Sequence, residues 1–387
     1  MTSTPSPVIV VAPDSFKGSA SAAQAAAAMA RGARTVAGPD ARILELPMAD
    51  GGEGTLDALL AAWGTEPLTV GTTDALRRPC TARYGISPDG TTGIIEAAEA
   101  NGLPQVSDVP LQPLVADTYG VGLIAACLLD AGVDELLVCI GGSATTDGGA
   151  GLLTALGVRF LNASGTPVAP GGGGLAAVAA VDHSGLHPRA WEVTWGIAVD
   201  VDNPLDGPRG AAAVFGPQKG ATPEDVAALD AGLAHLAQVL RAGELASSPG
   251  CGAAGGLPLA LGALLGARMV PGAELVSTAV GLPAALEGAD VVLTGEGRLD
   301  SQSLGGKVVD AVRRTADPLA RVVVIAGAVQ LDAAACREAG LTAAFSIAPG
   351  PADLAGLQAD AERLIEDTAA QACAALGLGR APRTGGR

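Results

Sequence analysis

The stretch PVIVVAPDSFKGSASAAQAAAAMARGART, residues 7–35, decides the fold class. A β-branched apolar run, Pro7 to Ala12, predicts a buried strand; APDSFKGS forms a polar loop, and Ser19 or Ser21 caps an alanine-rich helix running to about Thr35. The unit recurs at once. A strand at 42–46 meets the loop PMADGGEGT, and a helix follows that carries Leu56, Leu59 and Leu60. Strand, polar loop and helix in succession is the rhythm of a parallel α/β sheet.

The rhythm breaks at residues 66–96, where short alternating runs and turn signals such as ProAspGly predict antiparallel strands. A helix is expected from about Asp117, a strand at 135–140 and another in TrpGlyIleAlaVal before Asp200. Near residue 289 the first rhythm returns: AlaAspValValLeuThrGlyGluGlyArg reads as strand then loop, with a helix from about Ser303. Strands at 321–327 and 343–348 and a long closing helix follow, and GLGRAPRTGGR ends the chain as a frayed basic tail. The expected architecture is α/β. A Rossmann-like parallel-sheet domain is formed by both chain ends (1–66 and 285–387), a mixed α/β domain is inserted between them (67–284), and the active-site cleft lies between the two.

Glycine supplies 55 of 387 residues, about one in seven against a usual ~7 per cent, with no collagen-like period. At 49 per cent hydrophobic residues the chain is not disordered. The informative glycines fall in four loops expected at strand ends, Asp14–Ser19, Asp50–Thr55, Gly141–Gly151 and Gly295–Asp300. Open α/β sheets place ligands there, and glycine lets backbone N–H groups approach an anion. Net charge is 23 minus 40, or −17, which argues against nucleic-acid and anionic-membrane partners. An anionic ligand would therefore need local N–H groups, lysines or a metal.

Several signatures are missing. There is no G-x-x-x-x-G-K-[ST], no G-x-G-x-x-G after the first strand and no protein-kinase motif set. The six cysteines form no C-x-x-C, and His183, His187 and His235 match no zinc pattern, so the cysteines read as buried small residues in a reducing cytoplasm. No signal peptide is visible, and prolines and glycines break the one long uncharged stretch, Leu245 to Ala267. The reading is a cytoplasmic protein, a monomer or small homo-oligomer, whose apolar region from Gly250 to Val270 belongs to the core.

The loops also hold many carboxylates: Asp14, Asp50, Glu53, Asp147, Asp200, Asp202, Glu296 and Asp300. Carboxylates beside phosphate-cradling loops suggest Mg2+, with Lys17, Lys219, Arg298 and Lys307 as counter-charge.

APDSFKGS (12–19), PMADGGEGT (47–55), GGSATTDGGAG (141–151), DVDNPLDGPRGAAAVFGPQKGA (200–221), GAAGGL (252–257) and TGEGRLDSQSLGGK (294–307) together resemble the bacterial glycerate kinases of type 1 (GarK-like), in order along nearly the whole chain. The resemblance implies ATP-dependent phosphorylation of D-glycerate, at the 2-hydroxyl, giving 2-phosphoglycerate and ADP. The alternatives are the same chemistry giving 3-phosphoglycerate, another small hydroxy acid as acceptor, or a sensor that has lost catalysis.

On that reading Asp200 is the first choice for general base or metal ligand and Asp50 the second, with Lys17 assisting. The acid would meet Asp14, Lys219, Arg298 and Asn203. ATP phosphates fall to Gly51, Gly52, Glu53, Gly141, Gly142, Ser143, Gly295, Glu296 and Lys307, and Mg2+ to Asp200, Asp147 and Asp300.

Overall fold

Strand order explains where a ligand can sit. A computed structural model describes residues 6–378. The strands are β1 (Val8–Val11), β2 (Arg42–Glu45), β3 (Leu68–Thr73), β4 (Pro79–Ile86), β5 (Thr92–Glu96), β6 (Glu135–Cys139) and β7 (Arg159–Leu161). They continue with β8 (Ala180–Asp182), β9 (Thr194–Val199), β10 (Arg268–Pro271), β11 (Val291–Leu299), β12 (Arg321–Val329) and β13 (Ala343–Ser346). The first strand's loop and helix form as their residues dictate. Ser21 caps the helix Ala22–Ala37 in a reciprocal capping box with Gln24.

The chain divides into two compact units, one of Met1–Asp50, Asp57–Gly64 and Ala273–Arg387, the other of Gly51–Leu56 and Thr65–Gly272. The first unit holds a five-stranded sheet in the order β13-β12-β11-β1-β2, and every pairing is parallel. Renumbered within the unit this is the doubly wound order 2-1-3-4-5. Its direction of winding reverses between β1 and β11, and the crevice at the carboxyl ends there is the ligand position for such sheets.

The core of this unit joins Ile9, Val11, Val291, Leu293, Val323 and Ile325 to Met29, Ile365 and Ala369 of two covering helices. Those helices, Ala22–Ala37 and Ala361–Ala375, approach so closely that a Cβ on Gly32 would stand 2.2 Å from the Glu366 carbonyl oxygen. Gly32→Ala is therefore expected to lower stability by about 1–3 kcal/mol despite alanine's better helix propensity, an overpacking effect that urea denaturation would measure.

The second unit holds a six-stranded sheet, β10-β9-β6-β5-β4-β3, parallel from β10 to β5 and antiparallel from β5 to β3, with a separate β7–β8 hairpin. Its core includes Leu257, Leu259, Ala260 and Leu261, so the apolar stretch after Gly250 is interior packing. No helix among the described residues is long and apolar enough to cross a membrane, and none of the six cysteines is in a disulfide.

One boundary differs from the expectation. Residues 295–299 are not a loop after a strand; β11 runs through them to Leu299. Gly295 and Glu296 are poor strand formers by residue type, but they pair with Ile325 and Ala326 of β12, and tertiary pairing overrides propensity. The following helix also starts later: a 3-10 turn covers Ser301–Leu304 and the α-helix covers Val308–Thr315. The basic-tail expectation beyond Leu378 and the first five residues lie outside the described residues.

Candidate functional site

In the first unit three strand ends meet at the reversal point. The loop after β1 carries Asp14, the loop after β2 carries Asp50, and β11 itself carries Glu296. Backbone bonds tie them: Asp14 N–H donates to the Gly295 carbonyl at 2.8 Å and Met48 N–H to the Pro13 carbonyl at 2.9 Å. The Thr294 hydroxyl donates to the Ala12 carbonyl at 2.8 Å.

The electrostatics of this corner are those of crowded carboxylates. Burial, then the Asp50 charge and in smaller measure Glu296, push the Asp14 carboxyl up to about 7, against the Ser15 N–H bond and the Lys17 charge. Burial also raises Glu296, opposed by Ser303 and Lys307. Its Oε1 is buried with no hydrogen-bond partner among the described residues. Lys17 is exposed, and Lys307 stands at the N-terminus of the helix Val308–Thr315. Arg298 pairs through Nε with Asp300 Oδ2 at 3.0 Å, while Asp300 Oδ1 accepts the Gln302 N–H at 2.9 Å.

In the second unit the loops after β5 and β6 gather another polar group. A Cβ placed on Gly141 would lie 2.7 Å from Gly52 Cα and 3.2 Å from Glu53 N, so the two glycine-rich loops run backbone against backbone. A side chain at 141 would fill that cradle. Gly51 and Gly142 have φ of +91° and +71°, the left-handed region that favours glycine.

Lys219, from the 3-10 turn Pro217–Lys219, is only 3% exposed. Its Nζ donates to Ser143 Oγ at 3.1 Å and to the Thr145 carbonyl at 2.6 Å. Burial pulls this amine down to about 7, with Asp147 acting the other way. Asn101 Nδ2 donates to Thr145 Oγ1 at 3.0 Å, and its buried Oδ1 has no partner among the described residues.

Asp147 is fully buried. It accepts Thr118 N–H and hydroxyl at 2.9 and 2.8 Å, and the N–H groups of Gly149 and Gly151 at 3.2 and 3.0 Å. Asp200 lies exposed just beyond β9, and Asn203 Nδ2 donates to the Arg209 carbonyl at 2.8 Å within its own loop. Glu53 is exposed.

The structure thus brings Asp14, Asp50 and Glu296 together with Lys17 and Lys307 near them, joins Lys219 to Ser143, and lays Gly52 and Glu53 against Gly141. Asp147 is engaged by its own loop and by Thr118, and Asn203 within its own loop. Glu96, Asn101 and Thr145 are functional candidates that motif reading passed over. Glu96 had a signal, a lone carboxylate ending the apolar strand TGIIE; Asn101 had none outside its burial.

No group of three or more His, Cys, Asp or Glu side chains among the described residues could hold a metal ion. Mg2+ needs only one or two carboxylates when phosphate oxygens and water complete its shell. The buried Glu296 oxygen, without a hydrogen-bond partner among the described residues, fits that demand, whereas the oxygens of Asp147 and Asp300 are already engaged.

Comparison with known proteins follows the same lines. A family model described as the glycerate kinase family matches residues 9–377. The chain is 42% identical over 376 residues to the glycerate kinase of Bacillus subtilis strain 168, covering 96% of this chain and 98% of that one. It is 41% identical over 343 residues to the glycerate 2-kinase of Escherichia coli K12, covering 88% and 90%. A solved structure from Salmonella typhimurium LT2, assigned as a glycerate kinase 2, gives a TM-score of 0.87 at 42% identity, covering 97% of this chain and 99% of that one.

Proposed function

The chain belongs to the glycerate kinase family and is a kinase, and from that premise we propose that it transfers the γ-phosphoryl group of ATP to the 2-hydroxyl of D-glycerate, giving 2-phosphoglycerate and ADP. The observation that carries the reading is the Asp14 carboxyl, held near neutrality at the reversal point of a doubly wound sheet. A general base works best with a proton affinity matched to the working pH, and carboxylates ordinarily titrate near 4.

In this mechanism Asp14 accepts the proton of the glycerate hydroxyl. That oxygen bonds to the γ-phosphorus as the bond from phosphorus to the ADP oxygen breaks. Asp50, earlier the second choice as base, holds up the proton affinity of Asp14 through its charge. The glycerate carboxylate goes to Lys219 and Ser143, whose ammonium and hydroxyl are the donors in their loop, with Arg298 and Asn203 as further contacts.

Backbone at Gly51, Gly52, Gly141 and Gly142 takes the nucleotide phosphates, with Lys17 and Lys307 adding charge. Gly295 contributes by anchoring Asp14 through its carbonyl. When bound, Mg2+ would neutralise charge on the β- and γ-phosphate oxygens. Glu296 is the carboxylate proposed to hold it.

An ADP-release assay with D-glycerate, L-glycerate and tartronate tests the substrate assignment. Turnover with D-glycerate at least about tenfold above the other two in kcat/KM is expected, because a site that hydrogen-bonds the acid's hydroxyls rejects analogues that misplace them. Equal or better turnover with L-glycerate or tartronate would overturn it.

A further inference from the structure

We infer that Glu96 is the positioning residue of the glycine-rich loop 51–56, holding that loop in the shape that receives nucleotide phosphates. The inference rests on the assignment of loops 51–53 and 141–143 to those phosphates. Glu96 ends β5, a strand of buried apolar residues, and is 4% exposed. A carboxylate at that depth needs strong compensation. It accepts the Gly54 N–H with both oxygens, at 3.1 and 3.2 Å, and the Leu56 N–H with Oε2 at 3.0 Å. These partners lie some forty residues earlier in the chain, so the bonds fix a long-range register.

Leu56 is the second residue of the helix Thr55–Trp63, whose first N–H groups have no partner inside the helix. Glu96 therefore caps that helix from outside, with its negative charge at the positive end of the helix dipole. Thr55 turns back on the same loop: its N–H and hydroxyl both donate to the Gly52 carbonyl, at 3.3 and 2.6 Å. The N–H groups of 54, 55 and 56 are thus consumed. A phosphate arriving there would also meet the Glu96 charge. The half of the loop that runs against Gly141 is residues 51–53. Glu96 both fixes the loop and closes its wrong end. The same six residues, Gly51–Leu56, group with the second unit although the residues on either side, Asp50 and Asp57, group with the first.

Glu96→Gln is the informative change. It keeps the side chain's size but sets an NH2 donor against the Gly54 and Leu56 N–H groups. A loop displaced by ångström-scale amounts loses affinity for what it positions. The expected result is a KM for ATP raised about tenfold or more, with KM for glycerate within about twofold of wild type and kcat within about threefold. Gly141→Ala, measured alongside, tests the underlying phosphate assignment because its Cβ pushes directly on the loop.

If Glu96→Gln only lowers Tm, leaving KM for ATP unchanged while Gly141→Ala raises it, the positioning inference is overturned and the phosphate assignment stands. If neither variant raises KM for ATP, both are overturned. An equal rise in both KM values for Glu96→Gln reports general distortion and also overturns the inference. Should Glu96→Gln fail to fold, Glu96→Asp keeps the charge and shortens the reach. It must show the same selective rise in KM for ATP, and a normal KM there overturns the inference.

Discussion

Replacing Asp14 with asparagine is expected to lower kcat by about 10²- to 10⁴-fold, the usual worth of a general base, with nucleotide affinity retained. The pH profile gives the sharper result. Asp14 acts as a base only when deprotonated, and its carboxyl is raised to about 7. For wild type, kcat/KM for glycerate should therefore climb with pH towards about 7 on this limb, and fall on the alkaline side as the Lys219 amine, also brought down to about 7, loses the charge that holds the glycerate carboxylate. Asp14→Asn should lose the limb. If it keeps near-wild-type turnover, or loses turnover while the limb stays at 7, the base is elsewhere, and Asp50→Asn and Asp200→Asn become the next variants to measure. The raised carboxyl also has a cost to the fold. Between about pH 3.8 and 7 the folded chain holds a proton that the unfolded chain releases, so this group's contribution to stability falls as pH rises.

Lys219→Met is the second large effect, and it carries opposite signs in activity and in the pH response of stability. Losing the one buried ammonium beside Ser143 is expected to raise KM for glycerate by about 100-fold, the worth of a hydrogen bond to a charged group. The linkage runs in the reverse sense to that of Asp14. The Lys219 amine sits near 7 in the folded chain and at 10.5 when unperturbed. Below pH 7 both states are charged, and the folded state bears the full burial penalty. From pH 7 to 10.5 the unfolded chain holds a proton that the folded chain does not, so stability rises with pH by up to roughly 5 kcal/mol from this group. Chemical denaturation across that range should show the rise in wild type relative to Lys219→Met. Parallel curves for the two proteins would mean the amine titrates normally.

Much of this was legible in the residues themselves. Val8–Val11, the Ser21 cap and the alanine-rich helix form where local pattern says they should, because the core-facing period and the capping chemistry agree. The fold class followed from the repeated strand–loop–helix unit. Residues 295–299 were misread as a loop because Gly-Glu-Gly has the composition of a turn. The pairing with β12 that makes them a strand joins residues some thirty positions apart.

The site divides in the same way. Acid-and-glycine loops at strand ends marked Asp14, Asp50 and the 141–143 segment without a structure. Their roles were not legible, because a role here depends on burial and neighbours. Asp14 and Asp147 are both aspartates in glycine-rich loops, yet one is crowded by carboxylates and held near neutrality while the other is satisfied by four donors. Lys219 reads as a counter-charge in GPQKGA; only the packed loop shows a buried amine on Ser143 and Thr145.

The central claim is the reaction itself, and phosphorus NMR of the product tests it most directly. The protein, with ATP, Mg2+ and D-glycerate, is expected to convert the γ-phosphate resonance stoichiometrically into that of 2-phosphoglycerate, with ADP appearing in step. A 3-phosphoglycerate resonance would contradict the regiochemistry. Inorganic phosphate alone, released whether or not glycerate is present, would contradict the assignment of this chain as a glycerate-phosphorylating enzyme.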